Sequence, residues 1–143
     1  PGFPEVVVTR KMFKTRITDL FGIEHPIVCG GMMWLADAEY VSAVARAGGI
    51  GFITPRSFPT PEDFREQLRK AHDLSDGKPF GVNLYISARP EANELLQTFL
   101  DISIAEGVRF VETDSHFTFG SIAHYHAALR NRALGCSSSL VYR

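Results

Sequence analysis

Residues 26–54 read PIVCGGMMWLADAEYVSAVARAGGIGFIT, an apolar strand, a helix and a second apolar strand in direct succession. Pro26, Ile27, Val28 and Cys29 make the first strand, and Gly30 and Gly31 end it. A helix is predicted over residues 37–47, with Ala38, Val41 and Ala45 recurring at spacings of three and four and Val44 on the neighbouring stripe. Asp37 stands where an N-cap belongs. Gly48 and Gly49 stop that helix, and residues 50–54 read as a buried strand. Gly48, Gly49 and Gly51 follow a helix and precede a strand, which is the wrong polarity for a phosphate cradle, so they read as a helix cap and a point of close backbone packing.

The same alternation continues outward. Thr60, Pro61, Glu62 and Asp63 combine an N-cap, a proline at the first helical position and an acidic first turn, and Phe64, Leu68 and Ala71 form the inner stripe of the helix they open. After the turn Ser75, Asp76, Gly77, residues 79–86 form a third strand apolar enough to be covered on both faces. A third helix is expected over residues 90–106, capped by Gly107, and a fourth strand over residues 108–112. Strands starting roughly every 25 to 30 residues with a helix between each pair indicate right-handed crossovers in a parallel sheet. The fold class is α/β.

The chain has 143 residues, 45% of them hydrophobic and 22% charged, enough to bury one sizeable core. Fifteen Lys and Arg against 16 Asp and Glu leave a net charge of -1, which offers no basic field for nucleic acid or an anionic membrane. The two cysteines, Cys29 and Cys136, are too few for a disulfide scaffold and point to a reducing, cytoplasmic setting. The longest apolar run near the N-terminus is Val6, Val7 and Val8, too short for a membrane span. Length alone favours an open doubly wound sheet, since a complete (β/α)8 barrel needs about 250 residues.

One stretch has the strand-to-helix polarity of a binding site: Gly22-Ile23-Glu24-His25-Pro26-Ile27-Val28-Cys29-Gly30-Gly31-Met32-Met33-Trp34. It resembles the opening motif of the nitronate monooxygenases, formerly 2-nitropropane dioxygenases, which are FMN-dependent TIM-barrel flavoproteins. Ala47-Gly48-Gly49-Ile50-Gly51, Pro79-Phe80-Gly81-Val82-Asn83-Leu84 and Gly107-Val108-Arg109-Phe110-Val111-Glu112-Thr113 resemble the family's later motifs, in its order. The resemblance covers residues 12–113 and changes the length argument: four βα units are half of a (β/α)8 barrel. It implies FMN as cofactor, with the backbone around Gly30, Gly31 and Met32 against the flavin ring and Asn83 helping to hold it. Glycines let main chain approach a flat ring, an amide both donates and accepts, and Met packs softly on an aromatic system. The implied reaction is oxidation of an alkyl nitronate, or of a nitroalkane deprotonated by a His base, to a carbonyl compound and nitrite with oxygen. The related enoyl-acyl-carrier-protein reductases share barrel and cofactor, and a noncatalytic fragment acting through a partner is the non-enzyme alternative. The family's catalytic His, strand-five Lys and phosphate-binding segments belong to the later half of the barrel, so no catalytic residue is assigned.

Plainer readings compete. Gly30 and Gly31 also suit a simple turn, and Met32, Met33 and Trp34 suit core or lid packing. Cys29, where family members often carry Gln, is a small core residue or a reactive thiol, and no base is tied to it by spacing. His25 precedes the first strand, at the end opposite the usual active-site face. His72 lies in a charged helix and is expected to be solvated. His116, His124, His126 and Cys136 lack a recognised zinc spacing, and no metal is expected.

Residues 1–11 read as an N-terminal extension, and residues 114–143 as a divergent tail. Gly135-Cys136-Ser137-Ser138-Ser139 replaces the apolar strand that the resemblance calls for, and three serines supply no apolar strand face. With TCN serine codons, advancing the reading frame by two bases places T in the middle of every codon and restores apolar residues, so a frame-shifted end is one explanation. A half-barrel is expected to leave open sheet edges, to associate with copies of itself, to bind FMN weakly and to turn over no substrate alone.

Overall fold

The computed structural model describes residues 13–87, 89–115 and 138–141. A short helix, α1 (Arg16–Phe21), precedes the first strand and was not anticipated from the sequence. Thr15 caps it in a reciprocal box with Thr18, and Gly22 closes it at φ 69°. The box uses Thr where the familiar signature has Glu or Gln, so the signal is easily passed over.

The alternating units follow as β1 (Val28–Cys29), α2 (Ala38–Arg46), β2 (Ile50–Ile53), α3 (Pro61–Leu74), β3 (Gly81–Ile86), α4 (Leu96–Ala105) and β4 (Phe110–Ser115). Asp37 caps α2 by accepting from the Tyr40 amide, and Thr60 caps α3 in a reciprocal box with Asp63. All strand pairs are parallel and the spatial order is the sequence order, so each crossover adds a strand beside the last. This is the half-barrel arrangement of α/β units expected from the sequence.

Three boundaries differ from expectation. β1 is only two residues long. The helix expected over residues 90–106 divides into a 3-10 turn, Pro90–Asn93, and α4, because Asn93 turns back to the end of β3 and both accepts from the Ser87 amide and donates to the Ser87 carbonyl, each at 2.8 Å. β4 begins at Phe110 and continues to Ser115, since Gly107 at φ 77° and the Val108 amide, bonded to Ser103 O at 2.9 Å, still belong to the end of α4.

Ser138–Val141 forms a further parallel strand, β5, against β4, with Phe110 opposite Ser138 and Thr113 opposite Val141. Strand pairing uses main-chain groups alone, so serines do not prevent it. The extension over residues 1–11 and the tail positions 116–137, with His116, His124, His126 and Cys136, lie outside the described residues.

Period-two alternation sorts each strand onto two faces. Ile53, Val82, Leu84, Ile86 and Val111 pack outward against Val41, Phe64, Leu68, Ala71 and Phe99 of the helices. Ile50, Phe52 and Phe110 turn inward, where Phe21 of α1 closes the amino-terminal end with edge-to-face contacts to Phe52 and Phe110 at 6.2 and 5.0 Å. The glycines fit this layering. A Cβ on Gly51 would lie 3.0 Å from Val41 Cα, and one on Gly81 2.4 Å from the Phe52 ring.

Candidate functional site

Above the inner aromatic layer the same columns turn polar. In register, Asn83 stands beside Glu112, and Gly30, Gly31 and Thr54 come up to them from the ends of β1 and β2. The cluster thus lies just past the carboxyl ends of β1 and β2 and midway along β3 and β4, on the carboxyl side of the inner aromatic layer, toward the end at which barrel enzymes carry their chemistry.

Glu112 is its centre. One carboxylate oxygen, Oε2, accepts from the Gly31 amide at 3.1 Å and from Asn83 Nδ2 at 3.0 Å. Glu112 and Asn83 are 8% and 6% exposed, and among the described residues no ion pair neutralises the carboxylate. Among the described residues Asn83 Oδ1 accepts no hydrogen bond, and Thr54 Oγ1 is buried without a partner. Most buried polar atoms find partners, so Thr54 Oγ1 marks a place where a partner is still to be supplied, and Asn83 Oδ1 beside it is an acceptor open to use.

The sequence pointed to Gly30, Gly31, Met32 and Asn83. Gly30, Gly31 and Asn83 meet at one level. A Cβ on Gly30 would lie 3.2 Å from Glu112 Oε1, and one on Gly31 only 2.3 Å from Asn83 Cβ and 2.8 Å from Thr54 Oγ1. Packing therefore already requires glycine at Gly31. Met32 stands in the following turn, 38% exposed, with Met33, Trp34 and Leu35 also exposed. That turn is pinned: Trp34 holds φ 69° and its amide donates to Ser57 Oγ at 2.8 Å. Sequence reasoning did not single out Glu112 or Thr54. The available signal was a carboxylate at an inward position of an otherwise apolar strand.

Other candidates fall elsewhere. Cys29 faces α2, where its thiol meets the Tyr40 hydroxyl; burial first, then this contact, pushes the Tyr40 hydroxyl up, so it offers Cys29 no base. His25 donates its backbone amide to Gly48 O at 2.9 Å at the amino-terminal end. His72 is exposed but not merely solvated: its Nε2 lies 2.8 Å from Glu106 O and its ring packs edge-on to Phe80 at 4.8 Å. Among the described residues no group of three His, Cys, Asp or Glu is placed to hold a metal, and no helix is long and apolar enough to cross a membrane.

The side chains fit a flat heteroaromatic ring. Gly30 and Gly31 bring bare main chain to the level of Asn83, Asn83 Oδ1 accepts no hydrogen bond among the described residues, and Met32 follows in a fixed turn. A parallel half-barrel of βα units with polar groups past the ends of β1 and β2 defines the α/β barrel class of fold. The nitronate monooxygenase family model matches residues 14–129, and the chain belongs to that family, one of flavin-dependent oxidoreductases. Among curated relatives it is 38% identical over 96 residues to a 5-hydroxy-7a-methyl-1-oxo-octahydro-1H-indene-4-carboxyl-CoA dehydrogenase of Mycobacterium tuberculosis, a match covering 67% of this chain and 25% of the relative. It is 37% identical over 70 residues to a nitronate monooxygenase of Pseudomonas aeruginosa, covering 49% of this chain and 19% of the relative. The enoyl reductase domain of MlnA from the macrolactin biosynthesis cluster of Bacillus amyloliquefaciens has the same fold, with a TM-score of 0.61 at 22% identity over 71% of this chain and 23% of its own. The matched stretch thus spans about a quarter of these proteins.

Proposed function

We propose that this chain supplies the ring-binding portion of an FMN-dependent oxidoreductase whose reaction is the oxidation of alkyl nitronates to carbonyl compounds and nitrite. The observation that carries the reading is the ledge of Gly30 and Gly31 beside Asn83, whose Oδ1 has no partner among the described residues. FMN, when bound, supplies the redox chemistry. The chain's own residues bind and orient: Gly30 and Gly31 admit the ring, Asn83 offers an acceptor to its edge, Met32 packs beside it, and the Phe21, Phe52 and Phe110 layer beneath excludes water. No proton-handling residue is assigned, and the oxygen and nitronate sites are proposed for the later part of the barrel.

Titration of FMN against the chain tests this reading. Binding should quench flavin fluorescence and also the emission of Trp34, the sole tryptophan, and unchanged spectra at millimolar FMN would sink it. A second reading, an oxidoreductase acting on acyl thioesters, is favoured by the longer match to the dehydrogenase and by the exposed apolar turn Met32, Met33, Trp34, Leu35. In a complete barrel, nitrite release from propyl nitronate under oxygen supports the first reading. Flavin reduction or reoxidation coupled to an acyl thioester supports the second.

A further inference from the structure

A carboxylate has acceptors to offer and no donors. Glu112 Oε2, 3.0 Å from Asn83, therefore holds the NH2 end of that side-chain amide, and the opposite atom, Oδ1, accepts no hydrogen bond among the described residues. The same oxygen holds the Gly31 amide at 3.1 Å, so one buried group sets both the level of the glycine ledge and the direction of the Asn83 amide. We propose that Glu112 is a positioning residue for the flavin ring, fixing Asn83 so that it presents Oδ1, and not its NH2, to the ring edge. This rests on the flavin reading above.

The chemistry of the ligand makes that orientation matter. The pyrimidine edge of a flavin carries one N–H between two carbonyl oxygens. An amide oxygen complements the N–H, whereas a reversed amide sets donor against donor. Without Glu112, nothing among the described residues holds the Asn83 NH2, and both orientations become available.

The test compares lumiflavin, which is the bare ring, with 3-methyllumiflavin, in which that N–H is replaced. Affinities of the 143-residue chain are read from quenching of ligand fluorescence, alongside thermal melts. The wild-type chain should prefer lumiflavin by about tenfold, the range of a hydrogen bond left unmade in a buried site. Glu112→Gln retains an acceptor for Asn83 and should keep the preference within about threefold, while Glu112→Leu should bind both rings alike. A Glu112→Leu chain that keeps the wild-type preference, or a wild-type chain that shows none, overturns the positioning role and leaves the flavin reading standing. If Glu112→Leu does not fold, Glu112→Ala, which also removes the acceptor, decides: a ratio near one supports the role, and a retained preference overturns it. A wild-type chain that binds neither ring overturns the flavin reading and this inference with it.

Discussion

Gly31 donates its amide to Glu112 while its α-carbon rests against Asn83 and Thr54, so a methyl group there has no room. Gly31→Ala is expected to destabilise the chain by about 1–3 kcal/mol, as forced overpacking does, measured by denaturant unfolding. The neighbouring Thr54 hydroxyl is buried without a partner among the described residues, and Thr54→Val should be neutral or stabilise by about 1 kcal/mol in the same measurement. A loss of stability would show that the hydroxyl has a partner after all. Trp34 stands 74% exposed at positive φ, a conformation that costs a bulky residue about 1–2 kcal/mol, so Trp34→Gly should not lower the melting temperature. At this scale the sequence was uneven. An Asn in an apolar strand announced itself as a buried polar group, and Gly30 and Gly31 stood out by position. Glu112 did not, because its role appears only once parallel register sets β4 beside β3 and brings β1, 81 residues away in sequence, against both.

Caps and stripes, by contrast, were legible in the residue pattern itself, because both are local. Asp37 and Thr60 cap the helices they were expected to cap, and Phe64, Leu68 and Ala71 form the fully buried face of α3. The Asn93 fold-back that splits the third helix depends on Ser87 across a turn, which periodicity does not register. Between α3 and α4 the cross-link is ionic: Glu106 receives Arg69 through two nitrogens and Arg65 through a third. Arg69 first, then Arg65, holds the Glu106 carboxyl below the usual carboxylate range, and the same pairing raises Arg69. A carboxylate whose folded pKa is depressed stabilises fully above its unfolded value, near about 4.3, and that contribution is lost as pH falls through the lower folded value. Thermal melts between neutral pH and about pH 3 should therefore show a shallower acid limb in Glu106→Gln than in wild type. Equal slopes would mean that the cluster adds nothing across α3 and α4.

The molecule as described is a stack of crossovers in which every strand lies beside its sequence neighbour, with β1 at one edge and β5 at the other. Parallel edges of this kind invite partners. Light scattering is expected to show concentration-dependent association, relieved when a later barrel segment from a family member is co-expressed. A monodisperse monomer at all concentrations would refute it. Sequence-order topology also dictates a schedule for folding. Each βαβ unit pairs strands under 30 residues apart in sequence, so units can form one after another as the chain leaves the ribosome. The bond from Gly31 to Glu112 joins residues 81 apart and has to wait for the fourth strand. Until then the first turn has a vacant amide, and in pulse-labelled hydrogen exchange during refolding the Gly31 proton should be among the last to gain protection.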